Sequence, residues 1–146
     1  MLADDDEDDR LLFKMALKEV NPNINLTFAE DGEILMDVLS SQNSHLPSLL
    51  FLDLNMPFKN GKECLKEIRN NEALDDLLVV IYSTSSSDLD IEETYNLGAN
   101  LYIEKPVYSR LKTTLSGILQ LDWSLYRSPD MELFLSVSDK HKSIIR

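Results

Sequence analysis

Apolar runs of strand length alternate five times with amphipathic stretches along this chain, and that alternation leaves few folds open. Leu49 to Leu52 and Leu77 to Tyr82 are continuous apolar runs, the pattern of strands covered on both faces. Met1-Leu2-Ala3 predicts the stub of a first strand, Asn25 to Ala29 a short second one, and Leu101 to Glu104 a fifth. Leu11, Leu12, Met15, Ala16 and Val20 define one face of a helix over Arg10 to Val20. Ile34, Leu35, Val38 and Leu39 mark a second helix, which ends in the polar loop Ser40 to Ser44. Cys64, Leu65 and Ile68 mark a third, Ile91 and Tyr95 a fourth, and Leu111, Leu115, Ile118 and Leu119 a fifth. Gly98 is a natural C-terminal cap for the fourth helix. Met56-Pro57 and Asn60-Gly61 punctuate the loop after the third strand. Five βα units in succession predict an α/β fold: a doubly wound five-stranded parallel sheet, helices on both faces, right-handed crossovers.

A chain of 146 residues fits one domain and can bury a core without disulfides or structural metal. Cys64 is the only cysteine, which excludes a disulfide framework and a cysteine zinc cluster, and it reads as a small core residue. With no long apolar segment and no signal peptide in the sequence, a soluble cytoplasmic protein is expected, without membrane contact. The 26 acidic residues outnumber the 14 basic ones, for a net charge of −12. That balance argues against direct nucleic-acid binding, because phosphate backbones are held by dense Lys and Arg. Lys140 to Lys142 and Arg146 read as a solvated tail. His45 and His141 have no partner that suggests a phosphotransfer histidine, and both read as solvated.

Ligands of a doubly wound sheet bind beyond the carboxyl ends of its strands. Four chemical features stand there: the acidic run Asp4-Asp5-Asp6, Asp53, Ser83 and the pair Lys105-Pro106. Gathered carboxylates repel one another unless a cation intervenes, and a hard dication with oxygen ligands removes the conflict. Mg²⁺ suits a site with few protein ligands that keeps several waters. Glu7, Asp8 and Asp9 need no such account, since acidic residues are favoured in the first turn of a helix. An EF-hand fails, although Asp4, Asp6 and Asp8 imitate its opening: Asp9 stands where its glycine belongs and Met15 where its closing glutamate belongs. Asp53 is the candidate nucleophile, because a carboxylate can take a phosphoryl group as an acyl phosphate. Lys105 can supply a point charge to the transferred oxygens, and the Ser83 hydroxyl a hydrogen bond.

The pattern Asp53-x-x-Met56-Pro57-x-x-x-Gly61, with the acidic pair before it and Ser83 and Lys105-Pro106 after it, resembles the receiver domain of bacterial two-component response regulators. The resemblance covers about residues 1–121, and more narrowly it is to the stand-alone receivers associated with phytochrome-type kinases. It implies a flavodoxin-like sheet of strand order 2-1-3-4-5. Asp53 would be the phosphoacceptor, loaded by a sensor histidine kinase or a phosphotransfer protein. Asp5 would ligate Mg²⁺ directly, Asp4 largely through water, and Asn55 through its backbone carbonyl. Lys105 would pair with the phosphoryl group and join Pro106 through a cis peptide. Movement of Ser83 toward the phosphate would let Tyr102 swing inward and change the face made by the fourth helix, fifth strand and fifth helix. Asn55 and Ser85 would flank the acceptor and set its rate of hydrolysis. Output would be binding to a downstream protein or onward phosphotransfer.

A first strand beginning at Met1 is short for the centre of such a sheet, which puts stability in question. Residues 122–146 lie outside the repeat. Trp123, Tyr126, Leu133, Phe134 and Leu135 make them too apolar for a disordered tail, and packing on the domain or a homodimer or partner contact would employ them. Whether Met131 to Val137 forms a strand or a short helix is not fixed by periodicity. A phosphatase of the haloacid dehalogenase type is the rival enzyme reading. It needs a second acid two residues after the nucleophile, where Asn55 stands, and a cap domain. The chain is therefore expected to be a switch, not an enzyme acting on an outside substrate. A degenerate receiver that only docks would not need intact Asp5, Asp53, Ser83 and Lys105.

Overall fold

In the computed structural model, which describes residues 1–41 and 45–138, five short strands form one parallel sheet ordered β2-β1-β3-β4-β5. The strands are β1 (Leu2–Ala3), β2 (Phe28–Ala29), β3 (Leu49–Leu52), β4 (Leu78–Ser83) and β5 (Leu101–Glu104). Five helices alternate with them: α1 (Glu7–Val20), α2 (Gly32–Ser40), α3 (Gly61–Arg69), α4 (Asp88–Asn96) and α5 (Tyr108–Leu119). The alternation and the strand order are those expected from the sequence. Residues 42–44 of the polar loop, with His141 and the basic positions 140, 142 and 146, lie outside the described residues.

The first strand is as short as expected, yet it is paired on both sides. Leu2 and Ala3 are in register with Phe28 and Ala29 on one side and with Phe51 and Leu52 on the other. Both residues are fully buried. The ladder runs past the strand end, where Asp4 N–H donates to Ala29 at 3.0 Å and Asp53 N–H to Ala3 at 2.9 Å. Burial on two faces and pairing on two edges give this strand what its length does not.

Each face of the sheet has its own core. Phe13, Ala16 and Leu17 of α1 meet Phe51, Tyr82 and Ile103 and the α5 residues Leu111, Leu115 and Ile118. Phe13 packs edge-on to Phe51 and Tyr82 at 4.9 and 5.5 Å between ring centroids. The buried stripe of α1 is thus not the expected one: Leu11 and Met15 are about half exposed, at 54% and 46%. Apolar residues at 11–13, 15–17 and 20 support two overlapping stripes, and the helix turns the one bearing Phe13 and Leu17 inward, where Phe13 packs on Phe51 and Tyr82. On the opposite face, Leu35, Leu39, Cys64, Leu65, Ile68 and Ile91 of α2, α3 and α4 cover Leu50, Leu52, Val79 and Ile81.

Helix starts follow from side-chain caps that accept the orphan N–H groups of the first turn. Asp6, Asp31, Asn60 and Ser87 each accept from the backbone N–H three residues on. Asp6 begins α1 at Glu7, three residues earlier than the apolar pattern suggests. Gly98 ends α4 in the left-handed region, at φ 96°. At Gly61 a β-carbon would stand 2.2 Å from the Asp53 carbonyl oxygen, so the N-terminus of α3 lies directly on the backbone of the candidate acceptor.

Beyond α5 the chain makes a 3₁₀ turn (Trp123–Tyr126) and a one-turn helix, α6 (Met131–Phe134), which settles the choice left open by periodicity in favour of helix. This segment packs on the same domain. Asn100 donates from its side-chain amide to the Tyr126 carbonyl at 2.8 Å, and Arg127 reaches the Asp76 carbonyl at 3.0 Å. Phe134 is fully buried, edge-on to Tyr95 at 5.3 Å and to Tyr102 at 6.1 Å. Phe134→Ala is expected to cost about 3 kcal/mol, the usual scale for truncating a buried phenylalanine. Urea unfolding reads this; a loss below about 1 kcal/mol would mean that α6 is a loosely held appendage.

Candidate functional site

The strand register brings the chemistry to one edge. Ala3 stands beside Leu52 and Leu52 beside Ile81, so the residues that leave β1 and β3, Asp4 and Asp53, are neighbours. Ser83 ends β4 opposite Glu104, and Lys105 N–H donates to the Ser83 carbonyl at 2.7 Å as the chain leaves β5. Carboxylate oxygens of Asp4, Asp5 and Asp53 lie within 4.8 Å of one another. Asp4 is fully buried and Asp53 nearly so, whereas Asp5 is exposed at the mouth. Asp5, Asp53, Asn55, Thr84, Lys105 and the first turn of α1 line an open cleft above them.

Lys105 is the cation these acids share. Its Nζ lies 2.7 Å from Asp4 Oδ2, 2.8 Å from Asp9 Oδ2 and 3.5 Å from Asp53 Oδ2. The contact with Asp4 supplies charge balance to an oxygen sealed from water, without an aligned hydrogen bond. Asp4 Oδ1 accepts the Asp6 N–H at 3.0 Å, and the Arg10 guanidinium donates to the Asp4 carbonyl at 2.8 Å. Burial works against the Lys105 charge, and the close Asp4 and Asp9 carboxylates with the nearby Asp53 charge overcome it, so the ammonium is held above the ordinary lysine range. Asp53 moves the other way from a normal carboxylate. Burial pushes it up to about 6, Lys105 pulling it down and Asp4 pushing it further up.

Two expectations about individual residues change here. Asp9 is not a merely solvated first-turn acid: it spans 96 positions of sequence to hold Lys105. No sequence signal separates it from Asp8, because its partner is set by topology. Ser85 does not line the cleft. Its hydroxyl donates to Asp90 Oδ2 at 2.5 Å, and Asp90 is paired with Lys62 at 2.6 Å, so Ser85 ties the loop to α4 and α3 while Thr84 faces the opening. Asn55 does border Asp53, its N–H lying 3.5 Å from Asp53 Oδ1.

The Lys105-Pro106 bond is trans, and no peptide among the described residues is cis; trans is the isomer that X–Pro bonds favour. Ser83 is fully buried behind the cleft, its Oγ accepting the Ser85 N–H at 3.1 Å. Tyr102 already points inward. It is 1% exposed and donates to the Ser85 carbonyl at 2.7 Å, with Phe134 packed on its ring. An inward swing of Tyr102 is therefore not left for a later event to produce.

A family model for the response regulator receiver domain matches residues 1–115. The chain belongs to the response regulator receiver family, the phosphorylation-controlled modules of two-component signalling. It is 36% identical over 109 residues to response regulator Rcp1 of Synechocystis, covering 72% of this chain and 74% of that protein. The crystal structure of the phosphorylated cyanobacterial phytochrome response regulator RcpA superimposes with a TM-score of 0.75 at 32% identity, covering 87% of this chain and 91% of that one. The Mn²⁺-bound form of Rcp1 gives 0.73, also at 32% identity, over 82% and 92% of the two chains. Receivers of this family bind Mg²⁺ or Mn²⁺ in their acidic cleft.

An Asp53 held up near 6 contributes to metal-free stability when protonated. That contribution is complete below the unfolded carboxylate value of 3.8 and is lost as pH rises through about 6. Asp53→Asn is thus expected to gain on the wild type by on the order of 2 kcal/mol between about pH 4 and about pH 7.5, in chelator-treated protein. Parallel unfolding curves at the two pH values, with no relative gain, would mean that Asp53 titrates like an exposed acid.

Proposed function

We propose that Asp53 is the phosphoacceptor of a Mg²⁺-dependent switch loaded by a sensor histidine kinase or a phosphotransfer protein. What supports this reading is the meeting of Asp53 with Asp4, Asp5 and Lys105 in one open cleft: a nucleophile, a hard-oxygen donor set and a fixed cation. The donors are all carboxylates, with room for water and phosphate oxygens at the exposed Asp5 side, which suits Mg²⁺. Asp5 and Asp53 would ligate it, Asp4 largely through water, and Asn55 through its carbonyl. A bound Mg²⁺ would neutralise charge on the incoming phosphoryl oxygens and would keep the Asp53 carboxyl ionised at neutral pH.

The chain's own residues then do the following. An Asp53 carboxylate oxygen attacks phosphorus, the P–N bond to the donor imidazole breaks, and the imidazole leaves with that electron pair and takes up a proton. Lys105 offers its ammonium to a phosphoryl oxygen. Ser83 Oγ, which accepts from the Ser85 N–H, still has its own proton to donate. The chain turns over only its own acyl phosphate, and the uncharged Asn55 with Thr84 leaves the mouth open to the hydrolytic water. Phe58 and Val107, 78% and 66% exposed on the loops after β3 and β5, offer a partner apolar grip. Phe58 holds this position at φ 67°, a conformation that costs a bulky residue energy. The receiver unit is taken as residues 1–121, with 122–138 packed on it as an extension. Output is binding to a downstream protein or onward transfer, in the cytoplasm; no helix among the described residues is long and apolar enough to cross a membrane.

Incubation with acetyl phosphate should add one phosphoryl group to the intact mass, dependent on Mg²⁺ and lost in Asp53→Asn. Lys105→Ala should reduce loading by about tenfold to a hundredfold, the loss of one charge-assisted contact to the transferred group. An adduct that survives in Asp53→Asn would move the acceptor elsewhere.

A further inference from the structure

Asp9 belongs to the acceptor site, and its geometry says how. The ammonium of Lys105 has three donors on a stem whose side chain is only 10% exposed, so its reach is fixed. Two of its close contacts go to Asp4 and Asp9, and the acceptor Asp53 is the far one, at 3.5 Å. These two partners differ in what happens when the ammonium leaves. Asp4 is sealed from water and would be stranded as a buried charge. Asp9, whose side chain is 35% exposed, can return to solvent at little cost. Its backbone is meanwhile fixed, because its N–H donates to the Asp6 cap at 3.0 Å. Glu7 and Asp8 share the favourable first-turn position and line the same cleft, yet neither pairs with Lys105.

We propose that Asp9 is a positioning residue that holds Lys105 in a standby position and competes with the phosphoryl group for it. This rests on the reading of Asp53 as acceptor. Arrival of a phosphoryl oxygen exchanges the Asp9 contact for its own, while the Asp4 contact stays. Asp9 then faces water as an unpaired carboxylate near a dianion, which lowers the affinity of the site for the phosphoryl group and shortens the life of the acyl phosphate. The same carboxylate adds negative charge to the cleft and so strengthens binding of the bare dication. Removing its charge thus has opposite effects on the two ligands.

The test uses the full chain with Mg²⁺ alone and with beryllium trifluoride plus saturating Mg²⁺ as the phosphoryl mimic. Asp9→Asn and Asp9→Ser should bind the mimic about threefold to fivefold more tightly than wild type, the scale of one partly exposed charge contact, and bind Mg²⁺ alone more weakly. Asp9→Glu, which keeps the charge, should stay near wild type. A purely structural role would lower the melting temperature of all three and leave the mimic affinity unmoved. Mimic affinities equal to or weaker than wild type in both charge-removing variants overturn the role of Asp9 alone. If Asp53→Asn binds the mimic as wild type does, the acceptor assignment falls, and the role of Asp9 with it.

Discussion

The Lys105 ammonium lies between a sealed carboxylate, Asp4, and a solvent-facing one, Asp9, with Asp53 a short step farther away. The state of Asp53 follows from how that single charge is divided. Asp4 is sealed from solvent, and the lysine stands against it at 2.7 Å. Asp53 receives the remainder, a longer contact that offsets part of its burial but not all of it, and its carboxyl stays near 6. A site built this way is poorly balanced without a further cation, and the all-oxygen donor set at its mouth is suited to supply one.

The scaffold serves that arrangement at close range. Gly61 lets the start of α3 rest on the Asp53 carbonyl, and its N–H donates to the Leu54 carbonyl at 2.9 Å, so the backbone that carries Asp53 is held against α3. The two-residue strand β1 delivers Asp4 and Asp5 from the middle of the sheet, paired on both sides. On the far side of β5, the segment after α5 places Phe134 against Tyr102 and Tyr95. The residue through which a change at Ser83 could reach the surface is therefore already turned inward and covered. The loop after β4 is tied to its surroundings by the Tyr102 hydrogen bond to the Ser85 carbonyl and by the Ser85–Asp90–Lys62 linkage.

Most of the fold was legible because the strands are runs of Leu, Val and Ile that only a sheet covered on both faces can bury. The acceptor cluster was legible for a related reason: in a parallel sheet every strand ends at the same edge, so order along the chain becomes proximity in space. What escaped was whatever depends on choice among equivalents. Two apolar stripes run along α1, and packing against Phe51 and Tyr82 selects the one with Phe13. Asp8 and Asp9 are alike in sequence, and the topology that brings Lys105 beside the first turn of α1 selects Asp9. Thr84 and Ser85 are neighbours in a serine-rich loop, and the pull of Asp90 decides which one faces the cleft. The place of Phe134 is likewise set by tertiary contacts that no local pattern encodes.

The most direct measurement is a carbon-detected NMR titration of the Asp53 carboxyl group in metal-free protein, with Lys105→Ala beside the wild type. The charge-sharing account predicts a midpoint near 6 for the wild type and a higher one when the ammonium is removed. A midpoint close to that of an ordinary aspartate, unchanged by the loss of Lys105, would contradict it.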